Sequence, residues 1–91
     1  MKSVRVVIEG RVQGVAFRDW TRRTAQGFGV EGWVRNRRDG SVEALFCGNP
    51  ETVDQMLAAS RDGPPAAQVS AVRIVEEDAA PEIGFRVLPT T

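Results

Sequence analysis

The residue spacing changes character between Gly10 and Arg18, and that change limits the folds open to this chain. Before it, along Ser3–Gly10, Val4, Val6 and Ile8 alternate with Arg5, Val7 and Glu9. A period of two places these sets on opposite faces of a strand with one well-buried face. After it, Phe17, Trp20, Thr21, Thr24, Ala25 and Phe28 recur at helical spacing, with Arg22, Arg23 and Gln26 off the stripe. That pattern is an amphipathic helix, closed by Gly27 and Gly29. A strand thus feeds a helix through the stretch GRVQGVAFR.

The pattern then repeats with one addition. Residues 30–36 (VEGWVRN) and 41–47 (SVEALFC) read as two strands. Asp39-Gly40 between them is a strong hairpin signal. Asn49-Pro50 supplies a cap and a first helical residue for a second helix. Val53, Met56, Leu57 and Ser60 form its inner stripe, and GPP at 63–65 stops it. Residues 69–76 read as a fourth strand, with Val69, Ala71 and Arg73 opposite Val72 and Ile74. Residues 84–88 (GFRVL) suit a short final strand. The order βαββαβ predicts an α+β protein, a ferredoxin-like α/β sandwich. Two helices cover one face of an antiparallel sheet, and the other face is partly open to water. With 91 residues, positions 1–91 are expected to form a single domain.

Composition removes several function classes. Lys plus Arg and Asp plus Glu are 12 each, so the formal net charge is zero. A nucleic-acid or acidic-membrane binder would carry a basic excess. The chain has no histidine and a single cysteine, Cys47. Ser-His-Asp and Cys-His catalysis, Cys/His zinc sites and an internal disulfide are excluded. Cys47 is expected to be a buried or half-buried strand residue. No long apolar run and no signal-peptide core occur, so a cytoplasmic location is expected.

The strand-to-helix stretch suits an anion. Gly10, Gly14 and the short side chains of Val15 and Ala16 let successive backbone N–H groups converge. The helix from Phe17 adds its unpaired amides and positive dipole end. Arg18 adds a planar fork matched to phosphate. A Walker loop is absent, since no Lys follows the glycines. The same glycines also serve as plain turn residues, and Val12, Phe17 and Trp20 suit the core. Asn36 closes the second strand. Its carboxamide donates and accepts, so it can fix a water at a set angle, or it can open the hairpin as an Asx turn.

Together the two stretches closely resemble the acylphosphatase family. The pattern G-x-V-Q-G-V-x-F-R is met by Gly10, Val12, Gln13, Gly14, Val15, Phe17 and Arg18. The pattern G-W-V-x-N followed by G-x-V is met by Gly32, Trp33, Val34, Asn36, Gly40 and Val42. The resemblance implies hydrolysis of acyl phosphates, mixed anhydrides of carboxylic and phosphoric acid, by direct water attack. It implies that Arg18 binds the phosphate and Asn36 places the attacking water. It assigns the phosphate cradle to Arg11, Val12, Gln13, Gly14, Val15, Ala16 and Phe17. It implies no cofactor, no metal and no phosphoenzyme. Substrate and product phosphate are then the only expected ligands, with no nucleic acid or membrane partner, and a monomer is expected. The end GFRVLPTT departs from the family's F-x-I/V-R-x ending, whose terminal carboxylate can steady the active-site arginine.

A chemistry without histidine suits this reaction. The leaving carboxylate has a conjugate acid of pKa about 4–5, so it departs without a general acid. Phosphoryl transfer needs positioning and charge stabilisation above all. Three other readings use the same residues. A non-catalytic anion-binding module would have no use for a placed water. An RNA-binding sheet would need exposed aromatics on its first strand, which has none. A detached domain of a carbamoyl-transferring protein would act on carbamoyl phosphate.

Overall fold

The computed structural model describes residues 1–91. The chain runs β1 (Lys2–Arg11), α1 (Phe17–Phe28), β2 (Glu31–Asn36), β3 (Val42–Gly48), α2 (Pro50–Asp62), β4 (Gln68–Glu77) and β5 (Phe85–Val87). The sheet order is β4-β1-β3-β2-β5. The pairs β1·β3, β1·β4 and β2·β3 are antiparallel, as expected. The short final strand pairs with β2 in parallel, so the sheet is mixed.

The main core follows the alternation of β1, although Val7 on its other face is buried as well. Val4, Val6 and Ile8 of β1 join Val42, Ala44 and Phe46 of β3 under the helices. Phe17, Ala25, Val53, Met56 and Leu57 meet them from above. Phe17 packs edge-on against Trp20, with ring centroids 5.4 Å apart. Each fully buried apolar side chain of this size contributes about 1.5–3 kcal/mol relative to its exposed state. Asn49 caps α2 by accepting the Glu51 N–H at 2.9 Å, with Pro50 in the first turn. Gly29, with φ +73°, closes α1 as its N–H reaches back to the last-turn carbonyls.

The opposite face carries a smaller cluster of Leu45, Cys47, Ala79 and Trp33. Beside it, Glu43 on β3 accepts from Arg5 Nη1 of β1 and Arg35 Nε of β2, both at 2.8 Å. Arg35 also lies over the Trp33 ring, 4.8 Å from its centroid. The outer strand β4 departs from simple alternation. Its register against β1 shifts between Arg5 and Val6 and between Glu9 and Gly10. Val75 and Ser70 are the extra residues at these two bulges. The Ser70 bulge turns Val69 to the same side as Val72, where both pack on the core. The expected grouping of Val69 with Ala71 fails for that reason.

Candidate functional site

Gly10 proves to be a strand residue. It stands opposite Val69 at φ +117°, and a Cβ there would sit 2.2 Å from the Gln68 carbonyl oxygen. Its missing side chain lets β4 approach β1, and the strand-to-helix turn begins after it. Arg11 is the exposed last residue of β1, opposite Gln68.

The turn proper lies at Gln13–Ala16. Gly14 adopts φ +74° and Ala16 φ +61°, ψ +29°, both left-handed. Glycine takes that conformation freely, whereas alanine does so at a cost of about 1–2 kcal/mol. Ala16 is also the N-cap of α1 and offers no capping side chain. The first amide of the helix with an intrahelical acceptor is Trp20 N–H, bonded to the Ala16 carbonyl at 3.0 Å. The amides of Phe17, Arg18 and Asp19 precede it and lack an i−4 partner. Left-handed turn geometry and an uncapped helix start thus occur together, the arrangement that collects an anion.

A cleft of about 430 Å³ opens at this point. It is lined by Val12, Gln13, Gly14, Ala16, Phe17 and Arg18 from the loop and helix start, and by Asn36 from the end of β2. Two residues that the sequence patterns did not single out, Asp19 and Val87, complete it. Val15 packs partly buried against the main core instead. Asp19 accepts from Arg22 Nη2 and Arg23 Nε, each at 2.9 Å. Hydrogen bonds from Arg22 and then Arg23 hold its carboxyl below the usual range. Its charge is therefore matched within the first turns of α1, and Arg18 presents its own to the cleft.

Two hydrogen-bond sets hold the hairpin that carries Asn36. Gln13 Nε2 donates to the Arg37 carbonyl at 2.7 Å and to the Ser41 carbonyl at 2.8 Å. The Gln13 side chain therefore ties the loop to the hairpin. Within the hairpin, Asp39 Oδ1 accepts from Ser41 N–H at 3.0 Å and Ser41 Oγ–H at 2.6 Å. These bonds, the hydroxyl first, lower the Asp39 pKa. The Asx turn is made by Asp39, which leaves the Asn36 carboxamide to the cleft.

The acylphosphatase family model matches residues 4–87. The acylphosphatase of Rhodospirillum rubrum is 50% identical over 90 residues, covering 99% of each chain. That of Azoarcus sp. is 55% identical over 85 residues, covering 91% of this chain and 85% of its own. The crystal structure of the acylphosphatase from Bacillus subtilis superposes with a TM-score of 0.89 at 32% identity, over 97% of this chain and 99% of that one.

Proposed function

The chain belongs to the acylphosphatase family, and on that premise we propose how its cleft hydrolyses the carboxyl–phosphate bond of an acyl phosphate. The observation that carries the reading is the convergence of the Gln13–Arg18 loop and Asn36 on one cleft. The phosphate sits on the loop amides and the Arg18 guanidinium. Asn36 orients a water in line with the bond to the acyl oxygen. The equatorial oxygens gather charge as the bond breaks, and the amides and Arg18 stabilise it without rearranging. The water's proton passes to a phosphate oxygen, and the carboxylate leaves unprotonated. Carboxylate and inorganic phosphate are the products.

The reaction is read as metal-independent. No group of three His, Cys, Asp or Glu side chains is placed to hold a metal ion. Arg18 and the amides supply the electrostatic stabilisation that a cation would otherwise give. The acting species is read as the monomer.

Two variants separate the roles. Arg18 meets the phosphate in ground and transition states, so Arg18→Gln should lose turnover and phosphate-induced thermal protection together. Asn36 acts on the water alone. Asn36→Ala should lower kcat by roughly a hundredfold, the scale of a lost positioning contact, while phosphate protection persists. Benzoyl phosphate hydrolysis and thermal melts in phosphate provide both readouts. A folded Asn36→Ala protein with near-wild-type kcat would refute the water-positioning role. EDTA should leave the rate unchanged, and a loss restored by magnesium or zinc would overturn the metal-free reading.

A further inference from the structure

Beyond β5 the chain continues along β2 toward the cleft. Leu88 N–H donates to the Val34 carbonyl at 2.9 Å. Thr91 N–H then donates to the Asn36 carbonyl at 3.1 Å. The main-chain oxygen of Thr91 in turn accepts from Arg38 N–H at 2.9 Å. Residues 88–91 thus bridge the last strand residues of β2 and the hairpin turn. Val87, immediately before them, lines the cleft.

We propose that the tail Leu88–Thr91 is a strap that sets the position of Asn36, with Thr91 as a positioning residue acting through its main chain. The inference rests on the water-placing role of Asn36. The strap meets the hairpin at its Asn36 and Arg38 ends, whereas Gln13 reaches it from the phosphate loop at Arg37 and Ser41. The backbone of Asn36 is thereby bonded to the strap on one edge and paired with Val42 of β3 on the other. Freeing the strap releases Asn36 on that one edge, while the Gln13 bonds to the Arg37 and Ser41 carbonyls keep the Gln13–Arg18 turn in place. A displaced water slows chemistry, while the ground-state phosphate contacts stay as they are.

Three variants test this. Thr91→Pro deletes the N–H that Asn36 accepts, Thr91→Ala keeps it, and deletion of 89–91 removes the strap. Each is assayed with benzoyl phosphate in wild-type and Asn36→Ala backgrounds, and melted with and without inorganic phosphate. Thr91→Pro and the deletion should lower kcat about tenfold, within the range a misplaced reacting group produces. KM and phosphate protection should remain, and Thr91→Ala should match wild type. In the Asn36→Ala background neither should cause further loss, because the positioned group is already gone. Wild-type kcat in both Thr91→Pro and the deletion overturns the proposal. So does a fall in phosphate protection that parallels kcat, which would place the strap's action on the phosphate loop. Additive losses in the Asn36→Ala background overturn it while leaving the water-positioning role standing. If Asn36→Ala alone costs nothing, the water-positioning role itself fails, and the strap proposal falls with it.

Discussion

Gly14 and Ala16 share a left-handed backbone but differ in what each can tolerate. A Cβ at Gly14 would meet no atom within 4 Å. Gly14→Val should therefore act through backbone strain alone, since a β-branched residue resists positive φ. We expect a stability loss of about 1–2 kcal/mol and a smaller rise in melting temperature on adding phosphate. An unchanged phosphate shift would show that the loop does not hold its anion through this conformation. Gln13 has a different role, since its amide bonds two carbonyls of the hairpin. Gln13→Met keeps the length and removes both donors, at about 1–2 kcal/mol. The residue pattern singled out Arg18, Asn36 and Gly14, which the fold brings to one cleft, although glycine and asparagine at such positions also serve as plain turn residues. It could not reveal the partners of Gln13, or that Gly10 serves strand packing. Both depend on what lies across the fold, 28 residues away for Ser41 and on the neighbouring strand for Gly10.

At the scale of elements, three strands are joined on the helix-free face by one carboxylate. Glu43 is 5% exposed and is gripped from both neighbouring strands by Arg5 and Arg35. Burial pushes its pKa up, but the hydrogen bonds from Arg35 and then Arg5 outweigh it, and the net direction is down. A carboxylate depressed on folding contributes stability above its unfolded pKa, about 4.3 for Glu, and loses it as pH falls through the folded value. Glu43→Gln should cost about 1–3 kcal/mol near pH 7 in urea unfolding, with the gap to wild type narrowing below about pH 4. A gap unchanged between pH 7 and pH 3 would show that the charge of Glu43 plays no part. That residues 41–47 form a strand was readable, but the pairing of Glu43 needed the register of β1 and β2 on either side. The helices were more legible than β4. Asn49-Pro50 and the Phe17 stripe are local signals, whereas the Ser70 bulge that realigns Val69 is a property of a strand pair.

For the molecule as a whole, the phosphate-binding role proposed for the Gln13–Arg18 loop ties ligand binding to folding stability. Inorganic phosphate at about 100 times its dissociation constant should stabilise the native state by about 2.7 kcal/mol, and sulfate should imitate it. Equal melting curves in phosphate and in matched chloride would contradict a native anion site. The βαββαβ order was readable because each change of hydrophobic period is marked by glycine, proline or asparagine. The parallel docking of β5 and the main-chain bonds of the tail were not, since backbone hydrogen bonds leave no signature in side-chain identity. The two bulges of β4 also bear on how copies of this protein behave in company. With a formal net charge of zero, copies have little long-range repulsion to keep them apart. The ten-residue outer strand, with Ile74 and Val75 exposed, would be an inviting template if it were flat. Bulges at Ser70 and Val75 break its regular spacing, so excising Val75 should make the edge a better template for a second copy, read as a shift to larger species in size-exclusion chromatography.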